Sequence, residues 1–343
     1  MTALGVVFRP QLAPERLRGV VRAADQAGLE ELWLWEDCFL ESGIATASAA
    51  LAWTERLRVG VGLLPVPLRN VALTTMETAT LRRLFPGRFA VGLGHGVQDW
   101  MGQVGARAES PVTLLREHLD AMRALLRGER VSVEGRYVKL DAVALDWPPA
   151  VDGDAANGAG VANEAGVANG DGAGTGVANG AGNANGAGGT GAAAGPYAGA
   201  AVLAGARGPR SLRLAGEAAD GTVLDASSAL EDVRAARRLI DEGRAAAGRT
   251  GHHTVVVYLH TATGPDATSR LRAELEREGL ATANSHEPAL ELGVAGDAAT
   301  VAKAVQRVAE AGADTVVLQP TADEPDPEAF VRFAAEQVRP LVP

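Results

Sequence analysis

The sequence predicts an α/β protein, a (β/α)8 TIM barrel with a hairpin insertion and a disordered low-complexity loop. Three observations predict it. Strand-like and helix-like segments alternate in eight pairs along the chain. The strands are short, apolar and rich in Val and Leu, as expected of a parallel sheet covered by helices on its outer face. Once a 45-residue tract at 151–195 is set aside from the 343 residues, roughly 300 remain, an ordinary length for this barrel.

The first pair is an apolar run at residues 4–8, then a helix at 14–27 with Leu17, Val20, Val21 and Ala24 on one face and Gly28 as its stop. A strand at 32–36 and a small-residue helix at 45–52 form the second pair, and a strand at 58–64 and a helix at 69–85 the third. The fourth strand, 88–93, ends in Gly94-His95-Gly96, and its helix, 111–126, carries Leu115, Leu119, Met122 and Leu126 on one face. Residues 131–145 read as a hairpin with Gly135-Arg136 at the turn. The second half continues with strands at 201–204, 222–224, 254–261 and 315–319 and helices at 209–218, 230–247, 269–278 and 327–338. A further helix begins at Asp297, a side chain suited to capping it, and Gly312 ends it. In a barrel the active site lies at the C-terminal ends of the strands.

Residues 1–150 are therefore expected to form the first part of the barrel and 196–343 the second, with 151–195 an insertion rich in Gly, Ala and Asn. The insertion repeats Gly-Val-Ala-Asn three times and has few large apolar groups, so it cannot offset an ordering cost of about 1–2 kcal/mol per residue. It reads as a flexible surface loop.

The chain is 47% hydrophobic and 22% charged with net charge -10, a globular balance without a basic stripe, which excludes nucleic acid as the main partner. Its only lysines are Lys139 and Lys303. One cysteine, Cys38, allows no internal disulfide and fits a cytoplasmic protein. No signal peptide or membrane span is expected. His252, His253 and His260 form no HxH or HExxH pattern, so no metal site is expected.

Gly92, Gly94 and Gly96 lie two apart, so an extended chain places them on one face. Such a face either lets a flat ring or phosphate approach the backbone, or fills a tightly packed barrel. Residues 205–211, Gly-Ala-Arg-Gly-Pro-Arg-Ser, join a strand to a helix whose first turn starts at Pro209. Free N–H groups there suit an anion; the plainer reading is a βα turn. His95 stands at a strand end, able to move a proton near pH 7 or to bond only to backbone. Trp100 and Met101 either wall a pocket or pack. Glu36, Arg69 and Glu77 read as structural.

Four stretches together carry a family resemblance: LWLWEDCF (32–39), VGLLPVPLRN (61–70), LFPGRFAVGLGHG (84–96) and VLAGARGPRSLRLAGEAADG (202–221), with a weaker fifth at 293–318. In order and spacing they resemble the luciferase-like monooxygenase superfamily, flavin- and deazaflavin-dependent oxidoreductases on a TIM barrel. The Trp-Glu-Asp-Cys-Phe segment and Gly-His-Gly ending resemble the coenzyme F420-dependent actinobacterial-type branch. That resemblance implies an oxidoreductase passing a hydride between F420 and a small organic substrate. Alternatives are an FMN-dependent monooxygenase and, in another class, a flavin-binding protein without catalysis. It implies catalytic roles for Asp37, Cys38 and His95, and cofactor contacts from Asp37, Gly62, Leu63, Gly94, His95, Gly96, Gly205, Arg207, Gly208 and Ser211. A cis non-prolyl peptide is implied at Gly62–Leu63, and the phosphate of F420 or FMN at residues 205–211. Gly208 is expected where a Cβ would intrude on the anion or strain the backbone. Two departures speak against sugar-phosphate chemistry: Cys38 where those members carry a catalytic His, and Val97-Gln98 where they carry a Glu. A homodimer is expected.

Overall fold

In the computed structural model, residues 2–149, 201–280 and 292–343 are described. The tract at 151–195 lies outside the described residues.

In chain order the strands are β1 (Ala3–Val7), β2 (Glu31–Leu34), β3 (Arg58–Pro65), β4 (Phe89–Gly94), β5 (Val131–Glu134), β6 (Lys139–Val143), β7 (Leu203–Gly205), β8 (Gly221–Leu224), β9 (Thr254–Ala262), β10 (Gly293–Ala295) and β11 (Thr315–Pro320). Eight of them close a barrel in the order β1-β2-β3-β4-β7-β8-β9-β11, every neighbour parallel. β5 and β6 pair antiparallel as the expected hairpin. β10 pairs with β9 through residues 260–262, beyond the part of β9 that pairs with β8.

The helices are α1 (Leu17–Ala27), α2 (Gly43–Ala52), α3 (Val71–Leu84), α4 (Gln98–Gln103), α5 (Pro111–Leu126), α6 (Pro209–Ala218), α7 (Leu230–Ala246), α8 (Ala267–Arg277), α9 (Ala298–Glu310) and α10 (Pro327–Phe333), the last running into a π-turn over Ala334–Val338. None among the described residues is long and apolar enough to cross a membrane. Gly28 adopts φ 79° to end α1, and the Asp297 side chain accepts from the Thr300 N–H to start α9.

Two apolar layers hold the barrel. The outer one packs strand residues such as Leu4, Leu32, Val59 and Val91 against helix residues such as Val20, Leu115, Leu119 and Val305. The inner one is small: Val7, Trp33, Ala90, Leu203, Val223, Ala226, Val256, Tyr258 and Val317 fill the interior. Gly5 and Gly60 leave room for the Trp33 ring, since a Cβ would stand 3.0 Å and 2.5 Å from it. Alternation along each strand thus sends one residue set inward and the other outward.

Two short elements escape the sequence pattern. β10 has three residues and α4 six, too few for a period to show.

Candidate active site

The loops at the C-terminal mouth enclose a cleft of about 970 Å³. Its lining includes Asp37, Gly62, Leu63, His95, Gly96, Gly205, Arg207, Gly208 and Ser211. Nine of the expected site residues thus converge from four strand ends. Cys38 and Gly94 do not line it.

Asp37 follows β2, in the loop before α2. Its Oδ2 accepts from the Trp35 indole N–H at 2.9 Å. Burial pushes its carboxyl above the ordinary range, and the charge of Glu278 adds to the rise against the opposing pull of Trp35 and Arg9. A carboxyl so placed holds a proton more readily than a free aspartate. Cys38 sits beside it, partly buried. Burial, then the charges of Glu36 and Asp37, push its thiol up, so it is no ready thiolate.

β3 carries a bulge between Val61 and Leu64, and the Gly62–Leu63 peptide is cis, as is Cys38–Phe39. The Tyr258 hydroxyl donates to the Gly62 carbonyl at 3.2 Å. Burial raises the Tyr258 pKa, so the hydroxyl keeps its proton. Tyr258 came unannounced, although its inward position follows from the alternation of β9.

The glycines answer the question left open by their spacing. A Cβ on Gly94 would stand 2.2 Å from Leu63 Cδ2, one on Gly205 2.3 Å from the same atom, and one on Gly92 3.1 Å from the Val61 carbonyl oxygen. Gly96 lies past the strand with φ 66°, against Pro65 and Met101. Their smallness serves packing: Gly94 is buried behind Leu63, which itself faces the cleft.

His95 is largely buried, and its Nδ1 lies 3.1 Å from the Pro111 carbonyl. A carbonyl only accepts, so Nδ1 carries the hydrogen and Nε2 is left as an acceptor. Burial lowers its pKa, partly offset by that bond. Of the pair beyond it, Trp100 lines the cleft and Met101 is fully buried.

Gly208 is the N-cap of α6, and no side chain caps that helix. The Ser211 hydroxyl donates to the Gly208 carbonyl at 2.9 Å. Gly208 and Ser211, at the start of this helix, line the cleft, and a helix N-terminus carries the positive end of the dipole. Gly208 itself differs from expectation. Its φ is -85° and a Cβ would stand 3.9 Å from its nearest neighbour, Ser211 Oγ, so the protein alone does not demand glycine. Arg207 turns to Asp225 Oδ2, 3.1 Å from its Nε, and donates to Ser227 Oγ at 2.5 Å.

Across the mouth stands a charged wall that no local pattern announces. Arg9, after β1, donates to Glu274 Oε1 at 2.5 Å, the Pro320 carbonyl at 3.0 Å, Gln11 Oε1 at 3.2 Å and Glu278 Oε1 at 3.4 Å. His260 Nε2 lies 3.3 Å from Glu278 Oε2. Burial alone would raise Glu278, but His260 and Arg9 outweigh it and hold the carboxyl well below the ordinary range. Glu36, Arg69 and Glu77, read from the sequence as structural, form an ion-paired chain, and Glu36 also lines the cleft. Arg69 bridges Glu36 at 2.6 Å and Glu77 at 3.0 Å, tying the β2–α2 loop to α3.

The barrel, its bulge and this mouth define a class of protein. The luciferase-like monooxygenase family model matches residues 7–315, and the chain belongs to that family. Among curated relatives, the 5,10-methylenetetrahydromethanopterin reductase of Methanolobus tindarius is 25% identical over 245 residues, 71% of this chain and 60% of that protein. The chain thus spans about 60% of the length of the curated relatives it first matches. An F420-dependent secondary alcohol dehydrogenase, solved with an F420-acetone adduct, superposes with TM-score 0.74 at 19% identity, covering 100% of this chain and 99% of that one. The oxygenating constituent of 3,6-diketocamphane monooxygenase from Pseudomonas putida, in complex with FMN, gives TM-score 0.68 at 16% identity, covering 100% and 99%. At these identities the superpositions show a shared fold.

Proposed function

We propose that this protein is an F420-dependent oxidoreductase acting on a small organic substrate in the mouth of its barrel. The observation that carries the reading is the convergence of Asp37, the Gly62–Leu63 bulge, His95 and the uncapped start of α6 on one cleft of about 970 Å³. The residues fit the cofactor. Leu63 and Val223 offer an apolar bed for a ring, and the backbone N–H groups of Gly208, Arg210 and Ser211 suit a phosphate, Pro209 having none to give.

Bound F420 supplies or takes up the hydride at its deazaflavin ring. The chain's own residues do the rest. Asp37, fixed by Trp35, presents a carboxyl to the mouth. His95 presents Nε2 as a neutral acceptor suited to taking a proton from substrate, its ring oriented by Pro111. Trp35, Trp100 and Leu63 shield the reacting centre from water. Cys38, held as a thiol outside the lining, takes no part in this scheme.

FMN is the second reading, favoured by the superposition on the FMN-bound monooxygenase. A fluorescence titration with both cofactors decides between them. F420 is expected to bind more tightly; tighter FMN binding with oxygen consumption on reduction would promote the monooxygenase. Gly208→Ala sharpens the test, because the fold has room for the methyl group. It is expected to weaken F420 at least tenfold while the melting temperature stays put. Equal loss for a deazaflavin without the phosphate arm would place the anion elsewhere.

The single cysteine supports a cytoplasmic setting. A homodimer is supported by a set of exposed apolar side chains: Phe39 and Leu40 in the β2–α2 loop, Leu68 just before α3, and Leu73 and Met76 on α3.

A further inference from the structure

The cleft divides by charge. Four carboxylates line it, Glu36, Asp37, Asp225 and Glu278, against two arginines, Arg9 and Arg207. The arginines stand at opposite sides, because Arg9 follows β1 and Arg207 follows β7, four strands away in a barrel of eight. Arg207 belongs to the loop that starts α6, the side read above as the phosphate site. Arg9 is not open to an anion: its side chain is 7% exposed, and Glu274, Pro320, Gln11 and Glu278 occupy four of its five N–H donors. Residues 150–200 and 281–291 contain neither lysine nor arginine, so no undescribed segment brings a further fixed cation to the mouth.

The carboxylates opposite α6 are differently placed. Asp37 has the Trp35 indole as its hydrogen-bond partner, and no cation stands within ion-pair distance of it among the described residues. Glu278 keeps a third of its side chain exposed to the cleft while Arg9 and His260 hold it ionised. Both line the same cleft, and Asp37 feels the opposing charges of Arg9 and, less strongly, Glu278. Trp35 lies beside them, its ring 6.0 Å from that of Tyr258 and with the Arg9 guanidinium 5.9 Å from its centroid, so a substrate cation meets the indole at the part that Arg9 leaves open. Carboxylates beside an indole attract an organic cation and repel a carboxylate or phosphate.

We propose that the Trp35, Asp37 and Glu278 wall receives a substrate bearing a positively charged nitrogen, an amine or protonated imine, and turns away anions. The inference rests on the cleft being the substrate site, as read above.

Benzylamine, benzyl alcohol and benzoate test it, titrated by calorimetry into the protein with and without F420. The cation is expected to bind at least tenfold more tightly than benzoate at low salt, with the alcohol between them. Glu278→Gln should reduce the ratio below threefold, and Glu278→Asp should retain most of it. Benzoate binding as tightly as benzylamine, or a ratio unchanged in Glu278→Gln, overturns the proposal. If Glu278→Gln fails to fold, the ratio in the parent protein at rising NaCl serves instead. It should collapse with salt, and a salt-independent preference overturns the proposal. Absence of F420 binding in the same samples would count against the cofactor reading alone, since the probe ratio is read without cofactor too.

Discussion

Glu41 carries both carboxyl oxygens buried without a hydrogen-bond partner, and burial pushes its pKa from 4.5 up to about 7. The folded state therefore holds this proton where the unfolded chain releases it. Its contribution to stability is present below pH 4.5 and is lost as pH rises toward about 7. Glu41→Gln is expected to leave stability at pH 4 unchanged and to raise it at pH 8 by about 1–2 kcal/mol, allowing for solvent screening of a partly buried side chain. Urea melts at the two pH values check this; equal effects at both would mean that Glu41 titrates normally. Glu278 sits at the other extreme, a carboxyl held ionised by its neighbours. No feature of the sequence near either residue distinguishes them, because burial and long-range partners set both.

At the scale of elements, sequence and structure agree where local chemistry decides. α5 and α6 begin at Pro111 and Pro209, as the N1 preference of proline requires, and Gly28 ends α1 in the left-handed conformation. The site was legible where it hangs on strand ends: Asp37, Leu63, His95 and Gly205. It was not legible where partners meet across the fold. Arg9 and Glu274 are 265 residues apart, and neither has a periodic neighbour to announce the pair. The Arg69 bridge belongs to this scale too. Arg69→Met removes the tie between the β2–α2 loop and α3 and leaves the largely buried Glu36 without its cation. A loss of about 2 kcal/mol and weaker F420 binding are expected. Thermal melts and the fluorescence titration measure both; an unchanged affinity would show that the loop holds Asp37 without this bridge. Deleting residues 151–195 should leave melting temperature and F420 affinity intact, because long loops add little closure cost. Loss of soluble protein on deletion would show that the tract packs on the barrel.

For the whole molecule, the eight barrel strands are each paired on both sides, so among the described residues the barrel itself offers no open edge, and the strand edges left are those of the β5–β6 hairpin and of β10. Leu73 and Met76 on α3 are exposed one turn apart, and the Arg69–Glu36 pair ties their helix to the loop bearing Phe39 and Leu40. The homodimer proposed above should give way to a folded monomer in Leu73→Glu with Met76→Glu, read by light scattering on a sizing column. A dimer that survives both changes uses another face. The closed topology also gathers the proposed site at one end of the barrel, because all eight strands point their C-termini there.

Leu63 fills the volume that a Cβ on either Gly94 or Gly205 would need, so side chains on three different strands compete for one space. Substitutions at these positions are therefore not independent in inheritance. A lineage that shortens residue 63 opens 94 and 205 to alanine, while alanine arriving first at either position meets a steric penalty. The order of historical steps becomes constrained, and the three positions should vary together among descendants of one ancestor. In the laboratory, Gly94→Ala combined with Leu63→Ala should cost less than the sum of the two single changes, by about 1 kcal/mol in a double-mutant cycle.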